Sequence, residues 1–328
     1  MTHRGWHWIG AIAVFAVVCI VAVGMGAVPI PMSDVVRAIG GDGDSSVVAI
    51  VRNLRLPRVA LAALIGAGLG MSGGALQGTL RNGLAEPYLL GVSGGAAVGA
   101  VIAFSIGVAE SGWIAIAAFA GAALAVVLAL LVARAAGRGG RGDPRTLLMA
   151  GVVIGAFANA VIMISLANAP PNTIRGALWW MMGSAGDATW SSVAVLALSI
   201  VVGGAALIYL ARDIDVLALG EESAAALGVD VDRAARAIYL LSALLAAATV
   251  AAAGLVGFVG LIVPHIVRSA GVRQHRPLLV GAALVGATLV VAADLVARTI
   301  RPPAELPLGA VTAILGVPFF LAQLRKAA

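Results

Sequence analysis

The sequence predicts an all-α polytopic membrane protein of ten transmembrane helices, one of them a half-span, and two observations carry the prediction. Mean hydropathy is +1.06, with 61% of residues hydrophobic and 11% charged, a balance that excludes a soluble domain of this length. The apolar residues also fall in runs of about 20, the length a helix needs to cross a hydrocarbon core about 30 Å thick, without the two-residue alternation of a β-barrel. Irregular backbone facing lipid has no hydrogen-bond partner, so the runs must be helical. The whole of 1–328 is read as one transmembrane domain.

The spans are placed at roughly 8–28, 57–79, 88–107, 113–133, 146–168, 191–211, 237–255, 257–267, 277–297 and 306–324. Span one follows Arg4 and contains Cys19, the single cysteine, so no intrachain disulfide can form. Its 20 apolar residues exceed the 7–15 of a secretory leader. In spans two and three, Gly66, Gly70, Gly74 and Gly91, Gly95, Gly99 recur every four residues, a spacing that lets helices approach closely. Residues 237–267 are too long for one straight helix and are interrupted by Gly254, Gly257, Gly260 and Pro264. They read as a full helix followed by a half-span, the kind of broken element that lines a cavity. If spans 2–5 and 7–10 are related halves, their five-span offset inserts them oppositely, as an inverted repeat.

Orientation follows from Lys and Arg. With the N-terminus inside, the inner segments hold Arg4, Arg81, Arg134, Arg138, Arg141, Arg145, Arg212, Arg233, Arg236, Arg268, Arg273, Arg276, Arg325 and Lys326, fourteen of twenty-one. Both termini are thereby cytoplasmic. Five of the seven outer arginines gather where the rule disfavours them, as "RNLRLPR" before span two and "ARTIRPP" after span nine, while Arg37 and Arg175 stand apart. Headgroup contact is one reading of these clusters; docking of an acidic extracellular partner is the other.

Chemistry is sparse in the spans. His265 and His275 lack metal-ligand spacing and read as capping or packing residues. Asp294, the one carboxylate inside a span, has Arg298 one turn on, which makes an i,i+4 salt bridge the simpler account than a proton relay. A phosphate-binding Gly-x-x-x-x-Gly-Lys loop is impossible, since the only lysine is Lys326. The chain therefore carries no ATPase of that type. An ion-coupled secondary transporter would need an intramembrane acid or histidine, for which only Asp294 qualifies, and an enzyme would need convergent nucleophile, base or metal ligands, of which none is visible.

Against this background "LALGEESAAALGVDVDRAAR" stands out. With Asp213 and Asp215 just upstream, it gathers six of the fifteen acids on the cytoplasmic side, in a segment of about 213–236. Gly220 and Gly228 bracket a two-turn helix whose N-terminus suits Glu221 and Glu222. Leu219, Ala225, Leu227 and Val229 supply a small apolar surface, and the whole makes a rigid knob that a partner's groove could grip.

That segment resembles the cytoplasmic coupling segment of the FecCD permeases, the membrane subunits of type II ATP-binding-cassette importers for iron chelates, haem and cobalamin. The resemblance runs through "LRLPRVALAALIGAGLGMSGGALQGTLRNGLAEPYLLGVSGGAAVGA", "WWMMGSAGDATW", "GFVGLIVPHIVR", "ADLVAR" and "AELPLGAVTAILGVPFF", which occur in the family's order. It implies a multi-pass subunit of the bacterial inner membrane, paired with a second copy or a paralogue around a central pathway. It also implies two cytoplasmic ATPase subunits, which use the ATP and Mg while this chain binds no cofactor, and a solute-binding protein docking outside. By the same resemblance Arg55, Arg58 and Arg298 meet glutamates of that binding protein, with Arg301 a local addition, and a ferric siderophore is the favoured cargo over haem or cobalamin. The family's Asn-Pro-Leu-Ala-Glu-Pro turn here reads Asn82-Gly83-Leu84-Ala85-Glu86-Pro87. Glycine at 83 is expected to loosen the cytoplasmic gate region around Asn82, Gly83 and Leu84.

Overall fold

A computed structural model describes residues 3–26, 28–136 and 144–327. Arg138 and Arg141 lie outside the described residues, as do the side chains of Arg4, Arg145, Arg325 and Lys326. The described chain is helical throughout: α1 (His3–Gly24), α2 (Met32–Gly40), α3 (Ser45–Ala49), α4 (Leu56–Thr79), α5 (Val92–Ser105), α6 (Ser111–Ala136), α7 (Pro144–Ala167) and α8 (Pro171–Met182). There follow α9 (Trp190–Tyr209), α10 (Ala211–Leu217), α11 (Glu221–Ala226), α12 (Val231–Ala253), α13 (Val259–Ser269), α14 (His275–Thr299) and α15 (Leu308–Ala327).

Among the described residues, seven helical stretches are long and apolar enough to cross a membrane, and three shorter apolar helices, Val92–Ser105, Val259–Ser269 and Leu308–Phe319, accompany them. Each expected span coincides with one of these ten, and α13, with Pro264 inside it, is the short element expected after Gly254. Three features depart from the sequence reading. The second span, α4, matches the expected 57–79, but the helical stretch that leads into it begins at Ser45 rather than at Pro57. Pro57 has no N–H to continue the ladder, and the chain widens over Ile50–Arg55 into a π turn, with the Leu56 N–H bonding to the Val51 carbonyl five residues back. The outer loop after span five contains α8, which opens on Pro171 at its first turn and runs unbroken to Gly183. Finally, α2 and α3 occupy what read as loop, with the Asp44 carboxylate capping α3 by accepting the Ser46 N–H at 2.7 Å.

The stretch ending in α4 is the most enclosed span, and α1 the least. The four-residue glycine spacing explains why. A Cβ on Gly66 would stand 2.0 Å from the Gly286 carbonyl oxygen, one on Gly286 2.1 Å from the Gly66 oxygen, and one on Gly70 2.3 Å from the Ala282 oxygen, so α4 and α14 touch backbone to backbone. Within the first half Gly95 faces Gly121 and Gly99 faces Ala117 in the same manner between α5 and α6.

Packing partners recur between the halves. The pairs α5 with α6, α5 with α7 and α6 with α7 are matched by α13 with α14, α13 with α15 and α14 with α15, while α4 on α14 and on α13 is matched by α12 on α6 and on α5. The Ser72 hydroxyl donates to the Ser242 carbonyl, and Gly68 lies against Thr249, so α4 and α12 run antiparallel. Both short helices start from a left-handed residue, Gly91 (φ +83°) and Phe258 (φ +68°). This is the inverted arrangement expected of the two halves.

Candidate functional sites

The protruding face is built by α10, α11 and the start of α12. Gly228 adopts φ +82°, a left-handed conformation that a β-branched residue tolerates poorly, so the elbow does demand glycine. Asp230 caps α12 by accepting the Arg233 N–H at 3.1 Å. Glu221, Glu222 and Ala225 are exposed, and Leu219 and Leu227 stand 66% and 62% open, large aliphatic side chains outside any lipid-facing span. Gly220 is buried, and Val229, expected on the outer apolar surface, turns in against the core instead.

Two ties anchor this knob. His275, the first residue of α14, places its Nδ1 2.7 Å from Asp215 Oδ1 on α10, and its backbone N–H donates to the same oxygen at 3.0 Å. The ring fits because residue 78 of α4 is glycine, where a Cβ would lie 2.2 Å from His275 Nε2. Arg81, just past α4, approaches Glu221 at 3.9 Å. His265, half-buried on α13, takes no part.

The loop after α4 is held more firmly than Gly83 suggested. The Asn82 side chain accepts the Leu84 N–H at 2.9 Å and its carbonyl accepts the Ala85 N–H at 3.0 Å, a closed β-turn with Gly83 exposed at its second position. Directly after the turn, Glu86 accepts the Phe258 N–H at 2.9 Å, and the Tyr88 hydroxyl both donates to and accepts from Val256 at 3.1 Å. Burial pushes the Glu86 carboxyl up from its ordinary value, and the Phe258 N–H opposes that shift. The loop therefore pins the broken segment between α12 and α13, where Phe258 holds a left-handed backbone that bulky residues rarely adopt. Sequence reasoning placed the gate at Asn82, Gly83 and Leu84 and passed over Glu86 and Tyr88. Their signal was that Glu86 is the only acid between Asp44 and Glu110.

On the opposite face the four arginines separate. Arg55 and Arg298, expected to receive an external partner, are only 7% and 5% exposed. Arg55 donates to the carbonyls of Val23, at 2.8 Å, Gly24, at 2.7 Å, and Val28, and Arg298 to those of Met25, at 3.0 Å, and Ala22. The last carbonyls of a helix have no partners of their own and carry the negative end of its dipole, so two guanidinium groups close the end of α1 from below. That occupation is invisible in a sequence because backbone carbonyls bear no residue identity, and it leaves these two side chains little exposed to an outside partner.

Arg58 bridges Asp294, through Nε at 3.0 and 3.1 Å and Nη2 at 2.9 Å, and Glu305, at 2.7 and 2.9 Å. Asp294 also has the expected partner one turn on, Arg298 Nε at 3.3 Å. Glu305 keeps 38% of its side chain exposed, and the Arg58 hydrogen bond holds its carboxyl below the usual range. Arg301 is exposed.

Comparison with known proteins bears on what these faces meet. The FecCD transport family matches residues 14–326. The cobalamin import system permease protein BtuC of Halobacterium salinarum is 44% identical over 276 residues, 84% of this chain and 73% of its own. The hemin transport system permease protein HmuU of Yersinia pestis is 40% identical over 275 residues, 82% of this chain and 81% of its own. A solved metal-chelate type ABC transporter in an inward-facing conformation superposes with a TM-score of 0.86 at 27% identity, over 97% of this chain and 98% of its own.

Proposed function

The chain belongs to the FecCD transport family and is a multi-pass permease subunit of an ATP-binding-cassette importer, and on that premise we propose that it carries a bulky metal chelate across the bacterial inner membrane. The relative at 44% identity is named for cobalamin, which puts cobalamin ahead of the ferric siderophore favoured from the sequence. The permease works with a separate ATPase and a solute-binding protein. In the proposed assembly it pairs with a second copy or a paralogue, two ATPase subunits hydrolyse ATP with Mg, and this chain binds no cofactor.

The observation that carries the proposal is the knob. Leu219, Ala225 and Leu227 form an exposed apolar surface on α11 and the turns at its two ends, fixed by glycine elbows and tied to α14 through Asp215 and His275. A groove in the ATPase closing on that surface would move α14 and, through the glycine contact, α4. Replacing Leu219 and Leu227 together by Asp should abolish co-purification of the cognate ATPase subunit and chelate-stimulated ATP hydrolysis in proteoliposomes. Retention of both would overturn the reading.

On the other face, docking falls to Arg301 and the rim of the Arg58–Glu305 pair, since Arg55 and Arg298 are occupied by α1. A carboxylate of the binding protein reaching Arg58 has to displace Glu305, a half-exposed group that holds the site in its absence. The cargo is tested by uptake of labelled cobalamin, haem and a ferric siderophore panel in a deletion strain, where transport of a siderophore and not of cobalamin would restore the siderophore to first place.

A further inference from the structure

A cleft of about 580 Å³ opens on the protruding side of the molecule between the start of α1, the end of α13 and the first half of α14. It belongs to neither the knob nor the arginine cluster. Its walls include Trp8, Val267, Leu284 and Val285, and its mouth His7 and Arg273. Gly281 forms the floor, where a Cβ would stand 2.9 Å from Val267 Cγ1 and 3.3 Å from the Trp8 ring.

Three properties define what fits. The walls are apolar and continue the lipid-facing flank of α1, where Ile9 and Ile12 are exposed. Along α14 the cleft runs from Gln274 to Val285, about 16 Å at 1.5 Å per residue, which matches the depth of one leaflet in a core about 30 Å thick. At the mouth Arg273 is exposed, Arg276 is exposed on the first turn of α14 beside it, and among the described residues no Asp or Glu lines the cleft and Arg273 forms no ion pair. Trp8 stands at the start of the apolar stretch His7–Gly24, a position that suits indole rings at a membrane surface.

We infer that this cleft binds an acidic phospholipid of the leaflet on the knob side, one acyl chain lying between α1 and α14 and the headgroup phosphate meeting Arg273. A zwitterionic lipid would fill the same walls and bring the same phosphate, but the cation of its headgroup is repelled by the exposed Arg273 and Arg276 and offsets that contact. Because His275, two residues beyond Arg273, holds Asp215 of α10, an occupied cleft also braces the base of the knob. This inference is independent of the cargo.

The test is native mass spectrometry of the purified permease exchanged into an equimolar mixture of phosphatidylglycerol and phosphatidylcholine. Wild type should retain phosphatidylglycerol preferentially. Arg273→Gln should lower that preference roughly fivefold, the effect of one basic residue at an anionic surface, while Val285→Trp should reduce retention of both lipids by filling the cleft. Ala11→Phe fills it from α1 should the tryptophan variant fail to fold. Equal retention of the two lipids by wild type, or phosphatidylglycerol retention unchanged in Arg273→Gln and in the filled variant, would overturn the inference.

Discussion

Replacing Arg58 with Ala should destabilise the permease far more than any other change on the face away from the knob. Its guanidinium makes three contacts of 2.9–3.1 Å to Asp294, whose side chain is 2% exposed, and two of 2.7 and 2.9 Å to Glu305, whose side chain is 38% exposed. Breaking a buried pair leaves an uncompensated charge and costs about 3–5 kcal/mol, whereas an exposed pair contributes about 0–1 kcal/mol. Asp294 keeps Arg298 at 3.3 Å, so Arg58→Ala should fall near about 3 kcal/mol, and Glu305→Gln below about 1 kcal/mol. Adding Asp294→Asn to Arg58→Ala should recover part of the loss, because the stranded charge goes with it.

The assay is the apparent midpoint of thermal unfolding of the purified protein in detergent, with the two single variants and the double. A 3 kcal/mol loss corresponds to a drop of roughly 6–12 °C. The Glu305 share should also depend on pH. Its carboxyl titrates lower in the folded protein than in the unfolded chain, so its contribution is complete above the unfolded value of about 4.3 and vanishes as pH falls through the folded one. The difference between wild type and Glu305→Gln should therefore close in acid. Glu305→Gln as damaging as Arg58→Ala, or Arg58→Ala within about 1 kcal/mol of wild type, would refute the reasoning.

Other substitutions test the remaining sites. Gly228→Val forces a β-branched residue into φ +82° in open space, a strain of about 1–2 kcal/mol; ATPase-coupled uptake should fall, and Gly228→Asn, which accepts left-handed backbone, should retain most of it. Gly83→Pro should raise stability by about 0.4–1 kcal/mol in the same melts, because the second position of a closed turn without positive φ is where proline fits. Glu86→Gln should keep the Phe258 contact and be close to neutral at pH 7, whereas Glu86→Ala leaves a buried N–H unpaired and should cost about 1–3 kcal/mol, read as loss of thermal stability and of transport.

What the sequence made legible was whatever depends on hydropathy and local spacing. The spans, the short α13 and the four-residue glycine stripes follow from apolar run length and from residue size, and Gly220 and Gly228 announced the knob because turns leave a local mark. The π turn before Pro57 escaped because proline also marks a helix start, and α8 because an amphipathic helix of twelve residues carries no span-length signal. Arg55 and Arg298 were found as anomalies of charge, yet their partners are carbonyls some 30 and 275 positions away, which no pattern of side chains encodes. Glu86 and Phe258 are 172 residues apart for the same reason.

The glycine contacts between α4 and α14 have a mechanical meaning. Where a carbonyl of each helix rests on the α-carbon of the other, there is no side-chain layer to shear, so sliding one helix past its neighbour would drive oxygen into main chain at every step. The two helices travel as one beam, as do α5 and α6 at their own seam. A passage wide enough for a large solute must then open by tilting these beams against each other.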